Sequence, residues 1–421
     1  MTSLRALLVL GFLILGVDPV SAEFRAGIAV RVVTPDPLLP VSGGIGPSKP
    51  TREKKGDLTV RALVFEQKGV SLAIVSCDFL GFPSVLGDRV RAQVSGLAPE
   101  NILIGATHTH SAPDMYGFPD GKGGFAIDLK YVDKVVDQAA AAIAEARTKL
   151  QPATIRIASG VAKGKIAFNY YAESLYDQRC HVIQTLDKQG KAIATLVNYA
   201  VHPEVLGSDV GICSPDLIGP LYDRLAEKEG GVGIFMNSAQ GGMVTADNRG
   251  AKGEDFRTWE ECVRIGNLLA DEALRLVAKA PVQSDPNLFC TSQRVRFPVE
   301  SKMLLEITRQ SPLGFPAPET GNVISTQMNL INLGNAQIVT IPGEALPNIG
   351  FYLKRKMHGV HNLLFGLTND AFGYMLTKVD YNSFRRYDYI SRTSLGEMTG
   401  EILIEQALKL ADSAPRPEKV P

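Results

Sequence analysis

The chain has no excess of either charge: 44 Lys and Arg stand against 44 Asp and Glu in 421 residues. A balanced composition of this kind exerts no global pull toward nucleic acid or an anionic membrane. Cysteine is sparse, and the five residues present (Cys77, Cys180, Cys213, Cys262, Cys290) include no CxxC pair. They allow at most two disulfides, so the fold cannot rest on a staple framework. Long apolar runs are missing after the N-terminus. There, Arg5 precedes the run Ala6 to Val17, and Val20-Ser21-Ala22 offers the minus-three and minus-one positions of a cleavage site. A run of about a dozen apolar residues falls short of the roughly 18 needed to span a bilayer. Residues 1–22 therefore read as a secretory signal, with a mature chain starting at Glu23 and a secreted or periplasmic location.

What is present is an ordinary globular composition, 45% hydrophobic and 21% charged, on a chain long enough to bury a large core. β-Branched apolar runs at 72–76, 101–105, 192–201, 232–236, 338–341 and 363–367 read as buried strands. Helical patterns lie at 84–97, 131–149, 215–229, 256–279, 344–357 and 396–412. The alternation predicts an α/β fold: a mixed β-sheet core with flanking helices. No internal repeat is visible. Residues 36–56 and 112–127 have loop composition and are candidates for the rim of a site, and 413–421 reads as a disordered tail.

Two of only six histidines sit in Ala106-Thr-His108-Thr-His110-Ser-Ala-Pro113, directly after an expected strand. In an extended segment alternation places both imidazoles on one side, as a metal site requires. The pair alone fits equally well two side chains that merely hydrogen-bond a loop. A third, His202, follows another β-rich run in Asn198-Tyr-Ala-Val-His202-Pro203-Glu204, where a plain strand exit is the simpler alternative. His181, His358 and His361 lack such context and read as structural or surface residues.

Taken in order, Gly27-Ile-Ala29 with Thr34-Pro35, Val75-Ser-Cys-Asp78, Thr107-His-Thr-His-Ser111, Val201-His202, Ser214-Pro-Asp216-Leu-Ile-Gly219, Pro342-Gly-Glu344, and Thr368-Asn369 with Gly373-Tyr374 resemble the neutral, non-lysosomal ceramidase family. The resemblance runs from about residue 25 to residue 405, and HTHS followed by a strand-end His and then PxE is a specific combination. It implies a zinc hydrolase domain over residues 23–412, without the family's C-terminal Ig-like domain, and one Zn²⁺ per chain at strand ends. The implied metal ligands are His108, His202, Glu344 and Tyr374, with His110 in the reaction centre. Imidazole nitrogen and carboxylate oxygen suit zinc, and Glu344 at the start of an expected helix also suits the helix dipole as a plain cap. Asp78 and Asp216 match acidic positions that support the site.

The sequence departs from the family in two places. The family's Gly-Asp-x-Ser-Pro-Asn stretch reads Gly241-Gly-Met-Val-Thr245-Ala-Asp247, so Thr245 stands for the reactive serine, and no neighbouring feature supplies it with a base. The Asn-Arg-Ser-Pro segment corresponds to Asn169-Tyr170-Tyr171-Ala172, keeping a candidate substrate-binding Asn and losing the guanidinium. The expected reaction is hydrolysis of the amide of a ceramide-like N-acyl lipid, a step of sphingolipid metabolism, by metal-activated water. His110 is the candidate for proton transfer, Tyr387 or Tyr389 for a phenolic donor or substrate contact, and Thr245 for orienting the water. Other readings are an amidase or esterase acting on another small acylated molecule, and a catalytically silent zinc-binding envelope protein. No nucleic-acid partner is expected, and the oligomeric state is open.

Overall fold

A computed structural model describes residues 23–419, so the expected signal lies outside the described residues. β1 (Arg25–Val32), β2 (Thr59–Gln67) and β3 (Val70–Cys77) form an antiparallel meander. From its end α1 (Ser84–Gln93) crosses back to β4 (Ile102–Ala106), parallel to β3, and α2 (Leu129–Thr148) completes the unit. The same order returns as β5 (Thr154–Val161), β6 (Arg179–Leu186), β7 (Ala192–Tyr199), α3 (Ile218–Glu227), β8 (Val232–Asn237) and α4 (Trp259–Val277). It returns again as β9 (Leu288–Pro298), an inserted α5 (Lys302–Gln310), β10 (Val323–Leu333), β11 (Ala336–Thr340), α6 (Pro347–Lys356), β12 (His361–Phe365) and α7 (Thr399–Ser413). The core is thus three mixed sheets, each ending in one parallel pair. The repetition is one of structure without a visible repeat of sequence.

Period-two alternation explains the packing. Leu63 and Phe65 of β2, Leu196 of β7 and Ile338 of β11 point into one central cluster shared by all three sheets. Their neighbours Val64, Val197 and Val339 point outward, under α1 and α2, α3 and α4, and α6 and α7 respectively. With both faces covered, the parallel strands are near-continuous apolar runs. Close approach of helix to sheet is built on small residues: a Cβ at Gly27 of β1 would lie 2.1 Å from the Ala146 carbonyl of α2.

The three parallel edges are tied together by buried amides. Asn198 Nδ2, at the end of β7, donates to the carbonyls of Met236, Asn237 and Leu364 at 2.8, 2.9 and 2.8 Å. Asn237 Nδ2 donates to Thr107 O (3.1 Å) and Val201 O (2.7 Å), and Asn369 N donates to Ile104 O (2.7 Å). The C-terminal ends of β3, β4, β7, β8, β11 and β12 therefore open onto one region.

Two expectations change. The helix expected from 344 begins at Pro347, because Glu344–Ala345 instead pairs as a short parallel strand with Tyr374–Met375. Residues 414–419, expected to fray, lie against the third sheet, whose turn offers them partners: Asn332 Nδ2 donates to Pro415 O (2.6 Å) and Glu418 N to Gly334 O (3.0 Å). All five cysteines are free, and no described helix is long and apolar enough to cross a membrane.

Replacing the Asn198 amide by a carboxylate would set negative charge against three buried carbonyls. Asn198→Asp is expected to lower stability by ~3 kcal/mol or more. Urea denaturation checks it, and a loss below ~1 kcal/mol would show that this amide does not join the sheets.

Candidate metal and active site

The segment after β4 leaves the sheet abruptly. His108 adopts φ 74°, with its N–H donating to Phe79 O (2.9 Å) in the turn after β3. The two histidines of the HTH motif meet through this left-handed turn and not through strand alternation, with His108 Nε2 and His110 Nε2 3.3 Å apart. His202 arrives from the end of β7. Together His108, His110 and His202 bring ligand nitrogens within 4.8 Å of one another, a group able to hold a metal ion.

The tautomers follow from the partners. His108 Nδ1 lies 2.6 Å from Leu80 O, and His202 Nδ1 2.9 Å from Val244 O. A carbonyl only accepts, so each Nδ1 carries the hydrogen and each Nε2 presents a lone pair. Both lone pairs face the same oxygen, Glu344 Oε2, at 3.1 Å from His202 and 3.4 Å from His108. Three acceptors directed at one point require a cation among them, either a proton or a metal ion. A mixed nitrogen and oxygen donor set of this kind fits a divalent ion such as zinc.

Glu344 is placed by backbone geometry. It sits in register with Tyr374 on the paired short strands, and Gly241 N donates to Ala345 O (2.9 Å). A Cβ at Gly241 would fall 2.1 Å from Glu344 O, so only glycine lets this loop approach. Tyr374 is buried beside the cluster, with its hydroxyl 3.1 Å from Met243 Sδ.

Electrostatics match the geometry. Burial alone would push the Glu344 pKa up, but His108 and His202 outweigh it and hold the carboxyl well below its ordinary range. Burial lowers His202, but its hydrogen bond to Glu344 and the nearby carboxylates outweigh that and leave its pKa raised. Burial brings His110 down to about 3, against the pull of Glu204, so it is neutral at ordinary pH.

Glu204 is the residue that sequence reading passed over. It stands 3.5 Å from His110 Nδ1; burial works to raise its pKa, but His110 and His202, with a smaller part from Thr245, outweigh this and lower it. Its signal was its place two residues after His202, in His-Pro-Glu. Asp216 supports the same segment, accepting from Leu206 N (2.9 Å) and Leu217 N (2.7 Å). Asp78 accepts from Thr59 N and Oγ1 at 2.8 and 2.7 Å.

Beside the cluster lies a cavity of about 310 Å³, to which His108, His110, Glu344, Tyr374 and Tyr389 contribute. Its other walls are mainly apolar, including Leu304 and Leu305 of α5, Phe315, Ile324 and Leu395, with Arg294, Glu319 and Asp370 also in the lining. The loop-rich segments expected at a rim are there, as Gly44, Ile45, Tyr116 and Phe118. Four expected site residues are not in the wall, the first being His202, which is fully buried in the cluster behind it. Tyr387 packs on Tyr171 and Phe384, at ring distances of 5.1 and 5.4 Å. Asn169 commits its amide to its own turn, accepting from Tyr171 N (2.8 Å) and donating to Leu175 O (2.8 Å). Thr245 pairs with Phe168 on a short strand behind His202.

No protein-family model and no curated protein sequence matches the chain. Among solved structures, the crystal structure of neutral ceramidase from Pseudomonas aeruginosa is similar with a TM-score of 0.73 at 16% identity, over 95% of this chain and 76% of that one. A structure of a ceramidase complexed with C2 gives 0.71 at 17%, over 95% and 77%. The chain therefore has the neutral ceramidase fold.

Without metal, the proton shared by His202 and Glu344 occupies the place of the cation. Metal binding is expected to release that proton, so affinity falls as pH drops through the raised pKa of His202. Calorimetric titration in buffers of different ionisation enthalpy reads the release. Binding with no proton exchange over this range would contradict the shared-proton geometry.

Proposed function

We propose that the chain is a zinc-dependent amidohydrolase that cleaves an N-acyl lipid of the ceramide type into a fatty acid and an amino alcohol. The observation that carries this reading is the convergence of two bare Nε2 atoms and one carboxylate oxygen beside an apolar cavity. The fold shared with ceramidases supports the choice of substrate class. His108, His202 and Glu344 would hold the ion, with Tyr374, in register beside Glu344, as a further oxygen donor. When bound, the ion supplies Lewis-acid polarisation of the scissile carbonyl and makes water more acidic.

The remaining steps belong to side chains. His110, neutral and facing the centre through Nε2, accepts the proton of the attacking water, and Glu204 at its Nδ1 stabilises the imidazolium. The same proton then passes to the amine nitrogen as the C–N bond breaks. Of the two candidate phenols, Tyr389 is the one in the cavity wall, where its hydroxyl can donate to the developing oxyanion. Burial pushes its pKa to about 12, keeping it protonated for that role. The apolar walls from α5 and the segment after it take the acyl chain and exclude water.

Thr245 is assigned a supporting role. Its place behind His202 and its influence on Glu204, which it helps keep ionised, make it a residue that supports the carboxylate, and water the nucleophile. Thr245→Ala is then expected to keep turnover within about tenfold of the parent, with no acyl adduct in single-turnover mass spectrometry. Glu344→Ala and His202→Ala are expected to lose metal together with about a thousandfold or more of the rate, since Lewis-acid stabilisation contributes several kcal/mol. An acylated Thr245, or full activity in the Glu344 variant, would overturn the assignment.

A further inference from the structure

The chain as a whole is electrically balanced, and the segment 378–389 beside the cavity sets three cations against Asp380 and Asp388; what marks it out is exposed apolar surface. Val379 is 72% exposed and Phe384 62%, in the turn that Ser383 Oγ closes on Val379 O. Lys378, Arg385 and Arg386 are exposed in the same segment. Behind them the aromatic rings are continuous: Phe384 on Tyr387 at 5.4 Å, Tyr387 on Tyr171 at 5.1 Å, Tyr171 on Tyr170 at 5.7 Å. Tyr170 is itself 59% exposed. Arg386 fixes this group by donating to Tyr170 O (2.9 Å), with its guanidinium 5.4 Å from both tyrosine rings. Tyr389 then links rim to cavity, its ring 5.9 Å from that of Tyr374.

We propose that this rim docks the protein on an anionic lipid bilayer, with Val379 and Phe384 entering the interface and Lys378 and Arg385 resting on lipid phosphates. Aromatic rings with one polar end and apolar tips flanked by cations are the side chains that a bilayer interface favours. A protein-binding patch has a different layout, in which lysine is depleted from an apolar centre and charge is confined to the rim. Here the exposed apolar tips Val379 and Phe384 each stand next to a cation, Lys378 and Arg385, with Asp380 and Asp388 as the segment's two carboxylates. Continuity with the cavity gives the docking a purpose, because an acyl lipid then reaches the site without crossing water.

The proposal concerns binding and is independent of turnover, so it is tested by binding alone. The mature full-length chain is sedimented with vesicles of phosphatidylcholine and with vesicles of phosphatidylcholine and phosphatidylglycerol in equal parts, at low and high salt. Binding to the anionic vesicles that weakens with salt is expected. Lys378→Gln with Arg385→Gln should weaken it roughly thirtyfold, since each surface cation contributes about 1 kcal/mol. Val379→Ser with Phe384→Ser should weaken it at least about tenfold while leaving the salt dependence in place. Unchanged cooperative unfolding and metal uptake serve as the control for folding. If the Phe384 variant fails that control, Val379→Ser alone and the charge pair carry the test. No binding to anionic vesicles at low salt, or binding by both pairs of variants as tight as that of the parent chain, would overturn the proposal and leave the patch to a protein partner.

Discussion

Two imidazole lone pairs aimed at one carboxylate oxygen cannot coexist in a buried site unless something positive lies among them. The rest of the molecule is organised around that constraint. His202 is fully buried and Glu344 is 8% exposed, so solvent cannot screen them, and an uncompensated carboxylate at such depth would cost several kcal/mol. The carbonyls of Leu80 and Val244 remove the only alternative, a ring rotated to donate from Nε2, by claiming each Nδ1–H. The geometry thereby suits a cation at that point, a proton or a metal ion.

The fold provides this convergence by repetition. Each of the three units ends in a β-α-β crossover, and each places two strand ends at the shared edge. The first supplies the Leu80 carbonyl and His108 with His110, the second His202 and the Gly241 loop, the third Glu344 and the Tyr374 strand. Residues of the cluster that are far apart in sequence are thus held by neighbouring strand ends, and the amides of Asn198 and Asn237 join those ends. A site distributed in this way is rigid because three packed layers would have to move for it to open. Two surface segments beside the cavity, α5 and 378–389, lie outside the repeated order.

The parts of the fold that the sequence revealed are the parts buried on both faces. β3, β4, β7, β8, β11 and β12 each carry a short apolar run and were each expected as strands, and the six helices that cover them were legible from helical spacing. The meander strands β1, β2, β5, β6, β9 and β10 escaped because polar residues interrupt them, as in Arg179-Cys-His-Val-Ile-Gln-Thr-Leu186 and Leu288-Phe-Cys-Thr-Ser-Gln-Arg-Val295. The threefold order escaped because what is repeated is burial and not residue identity. In the site, the histidine cluster was legible from its place after strands. Glu204 was not, since nothing in the sequence says that the Thr245 strand folds back beside it. The choice between Tyr387 and Tyr389 also depended on a short helical turn, 388–392, whose direction no pattern encodes.

The central claim is a bound ion ligated by nitrogen and oxygen atoms that arrive from three separate sheets. X-ray absorption at the zinc edge of the purified, zinc-loaded protein tests it most directly. One zinc per chain is expected, with a first shell of imidazole nitrogen and light oxygen donors that loses an oxygen contribution in Glu344→Gln. A spectrum with sulfur in the first shell, or one unchanged by that substitution, would contradict it.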